Sequence, residues 1–140
     1  VSDWVALFSE RLPVEKAMAF VADPAAGGIA TFAGTTRGEK SKDEKQLVAL
    51  DYEAYEPMAK QQFADLAKRA REQWPILKLA ILHRVGRVLV AEPSVVIAVS
   101  TPHRAEAFEA CRWLIDTLKT EATIWKKEVF GDGSATWVGG

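Results

Sequence analysis

Apolar residues recur along the chain at two spacings, and the changes between them lay out the secondary structure. Val5 and Leu7, with Trp4, alternate as a short first strand. Behind Pro13, which a helix start tolerates, Val14, Ala17, Met18 and Val21 repeat at helical spacing. Asp23-Pro24 and Gly27-Gly28 punctuate the end of that helix. Ile29 to Thr36 is β-branched and partly alternating, and reads as a strand. Leu47 to Tyr55 alternates Leu47, Ala49, Asp51 and Glu53 against Val48, Leu50, Tyr52 and Ala54, a half-buried strand pattern. Between these strands Arg37 to Lys45 is charged and almost without apolar residues, so a mobile surface loop is expected.

Pro57 opens a long helix with Ala59, Phe63, Leu66, Ala67, Ala70 and Trp74 on one side, and Pro75 ends it. Three β-rich segments follow, Leu77 to Leu82, Val85 to Val90 and Val95 to Thr101, broken by Gly86 and Glu92-Pro93. A second long helix is expected from about Pro102 to Lys119, with Ala107, Phe108, Cys111, Leu114, Ile115 and Leu118 in one arc of about 120°. Ile124 to Phe130 reads as a strand, and Gly131-Asp132-Gly133 as a hairpin turn into Ala135 to Val138. Helices set among antiparallel-looking strands make the class α+β, with a mixed, mainly antiparallel sheet and two long helices. The 140 residues, without repeats or low-complexity tracts, predict one domain over 1–140.

Charge and cysteine usage narrow the function. With 18 basic and 19 acidic side chains, bulk basicity cannot drive binding to nucleic acid or anionic membranes, although a small basic pocket remains open. The single cysteine, Cys111, excludes an intrachain disulfide framework, and with only His83 and His103 beside it no metal site is expected. A reducing compartment, the cytoplasm, fits this usage. Val1 to Leu12 has no basic n-region, so a signal peptide is not expected, and no apolar run reaches the roughly 18 residues that span a bilayer.

The polar signals lie in three places: Arg37, His103-Arg104, and Lys119 with Lys126-Lys127. Singly, each reads as a solvated surface residue, a helix entry, or lysine stems covering Trp125. Together they point to an anion site. Lys119 falls only about 20° beyond Phe108 on the helical wheel, so it is expected to be part-buried, which would lower its pKa and make it more nucleophilic. Arg37, Arg104 and Lys126 suit a phosphate or another anion. If Arg104 and Lys119 share one straight helix, roughly 22 Å separates them. Either one of them is outside the site, or the site lies between two copies of the chain. Trp113, about 160° from the middle of the apolar arc, is expected to face away from the core as an interface anchor; the alternative is that another strand covers it.

Five stretches then carry a family resemblance. They are Phe32-Ala33-Gly34-Thr35-Thr36-Arg37, Leu50-Asp51-Tyr52-Glu53-Ala54-Tyr55, His83-Arg84-Val85-Gly86, His103-Arg104-Ala105-Glu106-Ala107-Phe108, and Leu118-Lys119 with Ile124-Trp125-Lys126-Lys127-Glu128. In this order, from about Trp4 to Trp137, they resemble the MoaE family, the large, catalytic subunits of molybdopterin synthase. The resemblance implies an α/β-hammerhead fold and a central homodimer, with a small ubiquitin-like sulfur carrier at each outer end. The carrier's C-terminal Gly-Gly thiocarboxylate enters a pocket of the large subunit. Two sulfurs pass to cyclic pyranopterin monophosphate, making the molybdopterin dithiolene without a metal or organic cofactor. By the same resemblance Lys119 is the catalytic lysine and Lys126 lies beside it. Arg37, His103 and Arg104 belong to the substrate pocket, with residues contributed across the dimer, and Lys127 and Glu128 match the segment bordering it. Two positions depart from the family pattern: Thr36 replaces an aliphatic residue, and Thr123 replaces a proline that would stiffen the loop before Lys126.

The remaining polar residues read as structure. Cys111 is a buried small hydrophobe, His83, after a β-rich segment, is hydrogen-bonded structure and not a ligand, and Asp51 and Glu53 are a solvated strand face. Gly139-Gly140 matches the carrier's ending, but nothing else in the chain is ubiquitin-like, and an incidental end is expected. The competing function is a non-catalytic dimeric scaffold for an anionic ligand or a partner tail, which would tolerate Arg or Gln at Lys119.

Overall fold

The computed structural model describes residues 3–138, so Gly139-Gly140 lies outside the described residues. The chain runs β1 (Asp3–Phe8), α1 (Val14–Val21), β2 (Gly28–Thr35), β3 (Leu47–Ala54) and α2 (Glu56–Gln73). It continues through β4 (Lys78–Arg84), β5 (Gly86–Leu89), β6 (Pro93–Thr101), α3 (Arg104–Glu121), β7 (Ile124–Phe130) and β8 (Ala135–Trp137). The α+β class holds, but the strands form two four-stranded sheets, ordered β1-β4-β6-β2 and β5-β3-β7-β8. All pairs are antiparallel except β1 with β4.

The first sheet is covered on both faces, so its central strand β6 is buried at every position. Side-chain alternation sorts the two cores. Val95, Ile97 and Val99 pack with Phe63 and Leu66 of α2 and Leu114 of α3. Val96 and Ala98 point to the opposite face, against Ala17 and Val21 of α1. Two glycines let α3 start hard against the sheet. A Cβ on Gly28 would stand 2.8 Å from the Cα of Arg104, and one on Gly27 would meet the Pro102 carbonyl oxygen at 2.2 Å. The pair that marks a helix end in the sequence therefore marks a close approach, and no side chain fits there.

The second long helix differs from its wheel. The buried side chains of α3 are Ala107, Ala110, Cys111, Leu114, Ile115 and Leu118, which leaves Phe108 66% exposed. Ala110, on the far flank of the stripe, shifts the centre of the buried arc away from Phe108 and from Lys119 beyond it. Lys119 is accordingly exposed, and the expected partial burial is absent from the single chain. Trp113 is also corrected. It is half-buried against the core, 5.8 Å from the ring of Trp74 and beneath the Arg69 guanidinium, because α2 covers that flank.

The segment 37–46 closes on itself. The Leu47 N–H donates to the Glu39 carbonyl (2.9 Å) and the Ser41 N–H to the Lys45 carbonyl (2.8 Å). A turn between β5 and β6 places Ala91 in the left-handed region at φ 74, while its N–H donates to the Thr36 carbonyl at 2.8 Å. Relief of about 1–2 kcal/mol of left-handed strain outweighs the roughly 0.5–1 kcal/mol of extra backbone entropy that glycine brings. Ala91→Gly should therefore stabilise the fold by about 0.5–1 kcal/mol, read as a higher urea midpoint at unchanged m-value.

Candidate functional site

Where the ends of the two sheets meet, β3 and β7 of the second face His83 at the end of β4 and Ser94 at the start of β6. The C-terminal turn of α3 closes the same region. The result is a two-lobed cleft. One lobe, of about 510 Å³, is lined by His83, Thr123, Trp125 and the end of α3. The other, of about 700 Å³, is lined by Arg37, Glu39, Leu50, Ala91 and Glu128. Tyr52, Ser94, Val95, Lys119 and Lys126 line both lobes and form their junction.

Local structure explains this convergence. Lys119 lies in the last turn of α3, where the partial negative charge of the helix end favours a cation. Lys126 is registered opposite Tyr52, and Glu128 opposite Leu50, so all four share the cleft face of the second sheet. Lys127, one residue out of phase, takes the other face, with its ammonium 4.6 Å from the Trp137 ring. Asp51 and Arg87 also pair across that outer face, with carboxylate-to-guanidinium distances of 2.8 and 2.9 Å. The chain between Lys119 and Lys126 is clamped by Gln62 of α2. Its side-chain oxygen accepts from the Thr123 N–H (2.8 Å), and its amide donates to the Thr123 hydroxyl (3.0 Å). This clamp supplies the restraint that a proline at 123 would have given.

The remaining proposed site residues are distributed differently. Arg37 stands on the rim of the second lobe, and its guanidinium meets Glu39 at 2.9 Å. His103 and Arg104 are exposed at the other end of α3 and line neither lobe. The Thr101 hydroxyl donates to the His103 carbonyl and pins that helix start. Thr36, the other departure from the family pattern, is 3% exposed, and its hydroxyl has no hydrogen-bond partner. Cys111 is buried as expected, and burial pushes its thiol up to about 11. Among the described residues no cluster of three metal-ligating side chains occurs, and no helix is long and apolar enough to cross a membrane.

His83 and Tyr52 are the cleft residues that sequence reasoning left out. The imidazole is 5% exposed, set edge-on to Tyr52 at 5.1 Å and tilted over Phe63 at 6.5 Å. Burial, aided by the charges of Lys119 and Lys126, brings its pKa down to about 4. Burial also pushes the Tyr52 phenol upward, against the opposing effect of a hydrogen bond with Ser94. Both residues sit in the quoted motifs. Tyr52, however, occupies the apolar phase of its strand, and His83 follows a run of apolar β residues, so both read as core.

The depressed histidine has a consequence for stability. Its folded pKa of about 4 is below the ordinary 6.5, so the unfolded chain binds the extra proton between these values. Stability is undiminished above pH 6.5 and falls as pH drops through the window from 6.5 to about 4. Between pH 7 and 5 this group should remove about 2 kcal/mol, and urea melts of His83→Gln should lack that component.

Comparison with known proteins agrees with this geometry. The family model described as MoaE protein matches residues 7–121. The molybdopterin synthase catalytic subunit of Nostoc is 44% identical over 139 residues, covering 99% of this chain and 83% of that protein, so the likeness runs on through β7. A crystal structure of molybdopterin synthase from Staphylococcus aureus superposes with a TM-score of 0.88 at 32% identity, covering 96% of both chains. A protein-protein complex of subunits 1 and 2 of molybdopterin-converting factor from Helicobacter pylori contains the same fold. Its match has a TM-score of 0.75 at 21% identity and covers 96% of this chain and 89% of that one. Sequence match, fold and the lysine-lined cleft converge on one assignment: the chain belongs to the MoaE family.

Proposed function

We propose that the chain is the catalytic subunit of a molybdopterin synthase, taking sulfur from a carrier's C-terminal thiocarboxylate and passing it to cyclic pyranopterin monophosphate. The observation that carries this is the junction of the two lobes, where Lys119 from α3 and Lys126 from β7 line both halves of one cleft. Two ammonium groups at one junction stabilise the charge that develops as the thiocarboxylate sulfur attacks the pterin side chain. Arg37 holds the anionic substrate at the rim of one lobe. The smaller lobe, lined in part by half-exposed Trp125, admits the carrier tail. Lys127 contributes by tying β7 to β8 through Trp137, and Glu128 lines the substrate side.

His103 and Arg104 enter the site from a second copy of the chain. Ile29 and Phe32 on β2, an edge strand, and Phe108 on α3 are exposed apolar side chains on elements that adjoin this helix start, which supports a homodimer there. A carrier on each outer end completes a heterotetramer. We assign residues 1–140 to one domain and the activity to the cytoplasm; the sole cysteine, buried and unpaired, suits a reducing compartment. The test is sulfur transfer in vitro: the full chain, thiocarboxylated carrier and cyclic pyranopterin monophosphate should yield molybdopterin. A chain that binds the carrier and yields none overturns the assignment in favour of the scaffold.

A further inference from the structure

The cleft contains a buried imidazole that the proposed sulfur transfer does not use, that of His83. Its Nδ1 lies 2.7 Å from the Arg84 carbonyl oxygen. A carbonyl only accepts, so Nδ1 carries the proton and Nε2 presents a lone pair. Nε2 has no hydrogen-bond partner among the described residues. The ring is wedged between Tyr52 and Phe63 and borders the lobe that Lys119 and Lys126 share. Of the two ammonium charges, that of Lys119 acts on the ring more strongly. Lys119 itself is exposed and has no hydrogen bond or ion pair among the described residues.

We propose that His83 is a positioning residue for Lys119: in the loaded site its Nε2 lone pair receives the Lys119 ammonium and aims it at the reacting sulfur. The inference rests on the sulfur-transfer reading. A carboxylate in this place would hold the lysine equally well but would cancel its charge. Buried imidazole holds it and stays neutral, because a ring with its pKa depressed this far remains unprotonated across the physiological range. The site therefore keeps its full positive charge for an anionic substrate while the ammonium loses its rotational freedom.

The test uses the full chain with thiocarboxylated carrier. His83→Phe keeps an aromatic ring between Tyr52 and Phe63 and removes the acceptor, whereas His83→Gln retains an acceptor oxygen. Loss of one hydrogen bond to a charged group should lower the transfer rate of His83→Phe roughly tenfold or more, with carrier KM unchanged within about twofold. His83→Gln should recover most of the rate. Normal turnover in His83→Phe, or equal losses in both folded variants, overturns the proposal. If His83→Phe fails to fold, ¹⁵N NMR of the carrier-bound wild-type chain decides instead. An Nδ1-protonated ring whose Nε2 signal moves in Lys119→Ala supports the pairing. An Nε2-protonated ring, or one indifferent to Lys119→Ala, overturns it. Failure of the wild-type chain to make product overturns the sulfur-transfer reading alone, and the ¹⁵N signal still decides the pairing.

Discussion

Lys119→Ala should eliminate molybdopterin formation while leaving the carrier bound and the fold intact. Fold retention follows from the exposure of the side chain, which contributes nothing to the α3 core stripe. The rate effect follows from electrostatics. Removing one preorganised donor from a site of developing charge costs about 10²–10³ in rate, and the cost rises where water is excluded, as it is once a carrier tail fills the lobe. Lys119→Gln separates catalysis from simple binding, because it keeps a polar hydrogen-bond donor of nearly the same reach and loses the positive charge. An enzyme is disabled by it; a scaffold that reads overall charge tolerates it. Single-turnover transfer, with carrier affinity measured in parallel, checks both variants, and near-normal turnover in Lys119→Ala would remove this lysine from the mechanism.

Mixing two inactive variants should restore activity. Arg104 and Lys119 are at opposite ends of α3, roughly 22 Å apart along a straight helix, so one small substrate cannot touch both within a chain. In homodimers of Arg104→Ala or of Lys119→Ala every site carries a lesion. In the mixed dimer, one site takes Lys119 from the first variant and Arg104 from the second, and is whole. Random exchange makes half of all dimers mixed, so about a quarter of wild-type site activity should return. The check is transfer activity after the two purified variants are unfolded together and refolded. No recovery, with exchange verified by mass spectrometry of tagged chains, would place both residues in one chain's site or leave Arg104 outside it.

The fold was largely legible because its elements announce themselves locally. Pro13 and Pro57 stand at helix starts, the β3 sequence alternates apolar and polar residues over Leu50–Glu53, and both long helices carry an apolar stripe. What the chain could not disclose was which strands pair. β4 and β5 are separated by Val85 alone yet enter different sheets, a division decided by partners far away in sequence. The errors on α3 have the same origin. A wheel shows which side of a helix is apolar, but whether Trp113 faces solvent depends on where α2 lies, and Lys119 and Phe108 fell at an edge that Ala110 shifted. Lys119 and Lys126 were found through their charge and their motifs. His83 and Tyr52 stayed hidden because a residue that serves a cleft from within a β core looks like core until the facing sheet is in place.

Helix α3 also acts as a ruler. An inserted residue in its middle would turn one end by about 100° against the other and push it about 1.5 Å outward. Lys119 would then leave its lobe, or Arg104 would lose its bearing on a neighbouring molecule. A whole extra turn would restore the facing but leave the ends about 5 Å too far apart. The hydrogen-bonded turn at 37–46 imposes no comparable limit, since its base is closed locally and the Lys45 side chain, which reaches Asp132 and Ser134, lies at the end of its tip. Changes in chain length can accumulate in that turn, whereas on the proposed shared site an insertion or deletion within the eighteen residues of α3 should abolish sulfur transfer.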